Sequence, residues 1–236
     1  MSRKSISLAS IVAVTLLITL AGVAADDEKG FTRIFDGKTL DNWTAPDMSF
    51  WRVEDGAITG EVTPDHRPKE NVFLTWKGEP VGDFELHFKF RIFGEGSNSG
   101  MQFRSEVKER GLVHGYQADI SGDGKWVGGI YDEYGPRGSL TARGQRVTFD
   151  REGKKTIETF ADPLAGEGKV DLTQWTDYDV IAVGPKITLK INGKVTAELT
   201  DLDPRARATG VLATPVITTP MKVQYKDVRL RRLEKK

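Results

Sequence analysis

Cysteine is absent from all 236 residues, so the chain forms no disulfide and cannot be acylated as a bacterial lipoprotein. Stability in an oxidising compartment must come from packing. Histidine is nearly absent too, with only His66, His87 and His114, and no pair has the spacing of a tight zinc site. A carboxylate-rich calcium or similar divalent site is favoured over zinc, with Asp123 and Asp132 as its candidate ligands. Charge of one sign is also missing. Lys plus Arg equals Asp plus Glu at 34 each, and no long block of either occurs, which argues against a nucleic-acid groove or a polybasic membrane patch. There is no phosphate loop, no Gly-x-Ser-x-Gly elbow and no dinucleotide fingerprint, which disfavours serine hydrolases and nicotinamide enzymes. No segment keeps a helical period over three turns.

The one long apolar run is at the N-terminus. Arg3 and Lys4, the stretch Ile11 to Leu20, and Val23-Ala24-Ala25 ahead of Asp26-Asp27-Glu28 have the layout of a secretory signal peptide. Cleavage is expected after Ala25, giving a secreted or periplasmic protein with no membrane span thereafter. Residues 26–236 carry no repeat, linker or composition shift and are expected to form a single domain.

What remains reads as strands. Trp51-Arg52-Val53, Glu54-Asp55-Gly56 and Ala57-Ile58-Thr59 make a strand, a tight turn and a return strand. From Asp83 to Ile92, Phe84, Leu86, Phe88, Phe90 and Ile92 share one face against Glu85, His87, Lys89 and Arg91. Met101 and Phe103 resume the buried phase after the Gly94–Gly100 loop. Asn192-Gly193 marks a hairpin, and aligning Ile187 and Leu189 with Val195 and Ala197 calls for an odd, three-residue loop. In the closing strand Met221, Val223 and Tyr225 are out of phase with Val228 and Leu230, which predicts a bulge near Lys226-Asp227. Residues 137–168 read as long loops with short strands, and Trp43, Trp51 and Trp175 as core. The class is all-β, most simply a sandwich.

Several of these segments together are similar to the 3-keto-disaccharide hydrolase domain family. They are Phe35-Asp36-Gly37 through Asn42-Trp43, the Trp51–Gly56 turn, Asp83-Phe84-Glu85-Leu86, Asn98-Ser99-Gly100-Met101-Gln102-Phe103-Arg104, Gly115-Tyr116-Gln117-Ala118-Asp119-Ile120 and Ile191-Asn192-Gly193. The resemblance implies a concanavalin A-like, two-sheet antiparallel jelly-roll sandwich, a carbohydrate partner (an oxidised glycoside or glycan), and activity on sugars oxidised at carbon 3. Two departures stand out. The family commonly has Glu and Gln where this chain has Gln117 and Asp119, and a Gln and a His where it has Pro215 and Ile217.

Alternation turns Gln102 and Arg104, Gln117 and Asp119, and Tyr131 and Glu133 to one side of their strands, so neighbouring strands would form one polar patch bordered by Trp126. For a 3-keto sugar, Asp119 and Glu133 are the expected base and acid, with Arg104 as oxyanion stabiliser. Gln102, Gln117, Trp126, Tyr131 and His87 are the expected substrate contacts. The same carboxylates would serve an ordinary glycosidase. The losses at 215 and 217 favour instead a non-catalytic, lectin-like carbohydrate-binding domain, and an envelope adaptor is a third reading.

Overall fold

The computed structural model describes residues 30–165 and 170–233; the predicted signal segment, 1–25, lies outside them. The chain folds into two stacked sheets. Sheet A runs from edge to edge as β12 (Lys155–Thr159), β11 (Gln145–Phe149), β15 (Lys194–Asp201), β14 (Lys186–Ile191), β13 (Thr176–Val183), β6 (Phe84–Phe93), β17 (Met221–Arg232), β4 (Ala57–Val62) and β3 (Trp51–Glu54), with β1 (Thr32–Arg33) also on β17. Sheet B runs β10 (Gly138–Thr141), β9 (Ile130–Glu133), β8 (Val113–Ser121), β7 (Asn98–Val107), β16 (Val211–Val216), β5 (Val72–Trp76) and β2 (Trp43–Thr44). This is the expected all-β sandwich with one exception to its antiparallel pairing. Strands β11 and β15 are parallel, which the long excursion through β12, β13 and β14 permits. Among the described residues no helix is long and apolar enough to cross a membrane.

Strand β6 shows how the sequence makes this fold. Its burial alternates without a break along Phe84–Phe93, and the buried set faces Met101, Phe103, Tyr116, Ala118 and Ile120 of sheet B. Phe84 meets Phe103 edge-on across the gap, with ring centroids 6.0 Å apart. Each such aromatic or aliphatic side chain contributes about 1.5–3 kcal/mol by leaving water. Two tyrosines of sheet A then tie down the backbone of sheet B. The Tyr178 hydroxyl donates to the Asp119 carbonyl at 3.3 Å, and the Tyr225 hydroxyl lies 2.7 Å from Ser99 Oγ and 3.3 Å from the Gly100 carbonyl.

The predicted bulge in the closing strand is present. The β17 register slips between Lys226 and Arg229, with Asp227 at φ 53°. The Asn192-Gly193 hairpin differs from expectation, because its loop has two residues, both at positive φ. Parity is restored one step later: Lys190 pairs with Val195 but Leu189 with Ala197. A bulge inside the strand does the work assigned to a longer loop, and Val195 is half-buried opposite Lys190. Trp43 and Trp51 are buried as expected, whereas Trp175 is not core. It lies between two cations, with Arg91 Cζ 4.6 Å and Lys226 Nζ 4.1 Å from its ring.

Candidate active site

Strands β8 and β9 build the site by alternation. Tyr116, Ala118, Ile120, Ile130 and Asp132 turn inward, while Gln117, Asp119, Tyr131 and Glu133 share the outer face; Gln117 pairs with Tyr131 and Gly115 with Glu133. Together with Asn98 of β7 and Trp126 they line a cavity of about 240 Å³. Five of these six residues were expected at the site from sequence. Asn98, in phase with Gln102 on β7, was missed although a two-residue period points to it.

Trp126 comes from the turn Ser121–Gly129 and is 42% exposed. Its backbone N–H donates to Ser121 Oγ at 2.9 Å, and Lys125 Nζ lies 4.7 Å from its ring. Arg143 braces the turn from behind, donating to the Gly124 and Val127 carbonyls at 2.7 and 3.0 Å while Asp162 holds its Nε at 2.8 Å. Gly128 has φ +80°, and a Cβ there would sit 2.8 Å from Thr196 Oγ1. Nothing larger fits.

The buried amides form a directed chain. Ser105 Oγ donates to Gln102 Oε1 at 3.0 Å, Gln102 Nε2 to Gln117 Oε1 at 3.2 Å, and Gln117 Nε2 to Asp119 Oδ1 at 2.8 Å. Because Gln102 occupies the Gln117 oxygen, Gln117 must turn its NH₂ toward the carboxylate. Gln102 is wholly buried, and it orients Gln117 from behind rather than contacting a substrate as predicted. The chain needs Gly100, since a Cβ there would lie 2.5 Å from Gln117 Cγ.

Asp119 is 6% exposed, and burial first, then the Glu133 charge, push its pKa up to about 7 against the pull of the Gln117 hydrogen bond. Burial and the Asp132 charge likewise raise Glu133, opposed by a hydrogen bond from Asn71. A carboxyl poised near neutrality beside a second raised carboxyl is suited to proton transfer.

That Asn71 contact reveals the shape of the sheet. Four strand steps separate β9 from β5, about 19 Å in a flat sheet, yet Asn71, just before β5, reaches Glu133. The Phe73 ring likewise lies 6.2 Å from that of Tyr134, which also stacks on His114. Sheet B therefore curls on its diagonal, and its outer face is the concave one. No local pattern announces Asn71, because its partner is remote in both chain and sheet.

Arg104 is not at this site. A bulge at Arg104-Ser105 opposite Gly115, with Arg104 at φ 47°, breaks the alternation and sends the side chain inward. There it donates to the Gly82 and Gly184 carbonyls at 2.8 and 2.7 Å and to Asp83 Oδ1 at 2.9 Å. It staples the two sheets together. His87 is likewise elsewhere, on β6 in sheet A, with its ring 4.4 Å from Phe31 and Nε2 3.9 Å from Asp179. Pro215 pairs with Phe73 on β16, and Ile217 packs against the main core.

The described residues bring no three His, Cys, Asp or Glu side chains together as a metal-ligating group. Asp132 points into the core beside Arg137, at 3.5 Å, and Asp123 accepts from the Lys125 N–H within its own turn. The donor set does not fit a divalent cation.

A family model described as the 3-keto-alpha-glucoside-1,2-lyase-like domain matches residues 30–231. The chain belongs to this family. Its function is accordingly carbohydrate-related. Among solved structures it is similar to a candidate glycosyl hydrolase of Parabacteroides distasonis ATCC 8503, at 17% identity and TM-score 0.57, covering 87% of this chain and 95% of that one. It is also similar to the carbohydrate-binding module CBM66 of Bacillus subtilis, at 12% identity and TM-score 0.53, covering 80% and 95%. A Bacillus subtilis protein with a galectin-like fold matches at 13% identity and TM-score 0.53, covering 82% and 90%. At such identities these likenesses establish the fold, which the lyase-like family shares with both enzymes and binding modules. A search of curated proteins returns no match.

Proposed function

We propose that this chain is an exported protein that cleaves the glycosidic bond of 3-keto-glycosides by elimination, with or without rehydration. The observation that carries the reading is Asp119, a buried carboxyl with its pKa near 7 in a pocket shared with Glu133. The ketone acidifies the hydrogen on carbon 2. Ionised Asp119 takes that proton, and the electron pair moves into an enolate. The enolate then expels the carbon 1 substituent, leaving a double bond between carbons 1 and 2 and restoring the ketone. Glu133, the second carboxyl of the pocket, delivers a proton to the departing oxygen. Addition of water across the double bond completes a net hydrolysis. Tyr131 and Asn98 line the same cavity and supply O–H and N–H donors for the enolate oxygen in place of Arg104. Trp126 offers an aromatic surface to the sugar ring.

Purified protein incubated with 3-keto-glucosides should release the aglycone, and Asp119→Asn should lower kcat by about 10²–10⁴ without loss of folding. Absence of product from the wild-type protein would overturn the reading. One observation favours a second, non-catalytic lectin-like function: Pro215, paired with Phe73 on β16, and Ile217, packed on the core, are apolar where the resemblance expects a Gln and a His. Calorimetric binding of unoxidised glycans without turnover would support it.

A further inference from the structure

A second and larger cavity of about 550 Å³ has Phe50, His66, Arg67, Lys69, Asn71 and Arg110 among its walls. Asn71 belongs to this cavity and also acts on the Glu133 carboxyl, and the Phe73 and Tyr134 rings span the same gap at 6.2 Å, so the two spaces approach each other at that carboxyl. The smaller pocket alone falls below the roughly 300–1,000 Å³ usual for small-molecule sites, which leaves room for one sugar ring and little else.

The larger cavity holds a fixed flat surface. The His66 imidazole lies on the Phe50 ring at 4.2 Å and 7°, and Phe50 is itself anchored in the core. Ser49 Oγ pins the edge of the imidazole at 3.1 Å from Nε2, and the His66 backbone N–H donates to Thr63 Oγ1 at 3.1 Å. Residue 66 is exposed, so the ring face away from Phe50 is open and already oriented, which spares a ligand the cost of ordering it. Across from it, Arg110 is paired with Glu70 at 3.0 Å. The turn carrying Arg110 is seated on Pro46, where a Cβ on Gly111 would lie 2.2 Å from Pro46 Cγ. Its walls carry charges of both signs, Asp47 and Glu70 with Arg67, Lys69 and Arg110, so the feature that selects a ligand is the oriented ring face.

We infer that this cavity is the leaving-group subsite: it receives a ring-shaped aglycone, aromatic or pyranose, stacked on His66, while the oxidised ring occupies the Asp119 pocket and Glu133 stands at the bond between them. The inference rests on the cleavage reading above, and its test has one arm that needs no turnover. In the first arm, kcat/KM is measured for phenyl and methyl 3-keto-α-glucosides, and the ratio is compared between proteins, which cancels the intrinsic reactivity of the leaving groups. His66→Ala should lower the phenyl-to-methyl ratio about threefold to tenfold, as loss of one ring stack implies, and His66→Phe should restore it. In the second arm, imidazole proton resonances are followed by NMR during titration with unoxidised phenyl α-glucoside; those of His66 should move while those of His87, on the opposite sheet, stay fixed. An unchanged ratio in His66→Ala with active enzyme overturns the subsite and leaves the cleavage reading standing. A moving His66 signal without turnover does the reverse, and a still one overturns the subsite whatever the activity.

Discussion

Replacing Asp119 by Asn should make the protein more stable at alkaline pH than at acid pH relative to the parent, and the size of the effect follows from the burial of this carboxyl. The folded-state pKa lies near 7 and the ordinary value is 3.8. The folded protein therefore retains a proton that the unfolded chain releases, and stability falls as pH rises between those values. The contribution is fully present below pH 3.8 and lost through about pH 7. At 1.36 kcal/mol per pKa unit, a displacement of about three units corresponds to about 4 kcal/mol. Asn keeps the oxygen that accepts from Gln117 Nε2 but cannot ionise, so the variant escapes the loss. Urea denaturation followed by tryptophan fluorescence at pH 4, 6 and 8 would measure both proteins. The stability difference between variant and parent should widen by about 4 kcal/mol from pH 4 to pH 8, most of it before pH 7. Curves that run parallel across this range would show that Asp119 ionises like a solvated carboxylate and would remove the basis for its role in proton transfer.

Two further substitutions separate the site from its scaffold. Gly100→Ala should displace Gln117, break its bond to Asp119 and cost about 1–3 kcal/mol by overpacking; a kcat–pH profile shifted from that of the parent is the informative readout, and an unshifted one would show that the amide chain does not set the Asp119 environment. Arg104→Met should cost about 3–5 kcal/mol, because Asp83 and two carbonyls lose a buried cation, yet the folded fraction should keep the parental KM; a raised KM with an unchanged melting temperature would return Arg104 to the site.

Much of the site was legible because it depends on a period of two. Once Met101 and Phe103, and Tyr116 and Ala118, are taken as core, Gln117, Asp119, Tyr131 and Glu133 must face the other way, and strand neighbourhood gathers them into one pocket. The same rule misplaced Arg104. A single extra residue opposite Gly115 inverts everything beyond it on β7, and only the partner strand registers the slip; the cue in the chain is indirect, a glycine held at φ +146° whose Cβ would lie 2.5 Å from Ser105 Oγ. The hairpin at Asn192-Gly193 failed in a related way, since the parity argument was sound but did not specify whether loop or strand would absorb the odd residue. His87 was read in phase with its neighbours, and rightly, but a strand's phase does not say to which sheet it belongs.

The amino-acid sequence alone determined the all-β class, the core faces of the long strands and the two carboxylates, because hydrophobic alternation is a local property that burial enforces residue by residue. It also carried the family pattern that spans residues 30–231. The tertiary structure decided which sheet is concave, that Arg104 staples the sheets, that Gln102 stands behind Gln117, and that Asn71 meets Glu133. Each of these depends on strand order, on a bulge or on the curl of sheet B, quantities fixed by packing between segments remote in the chain, and so none is written in any one stretch of it.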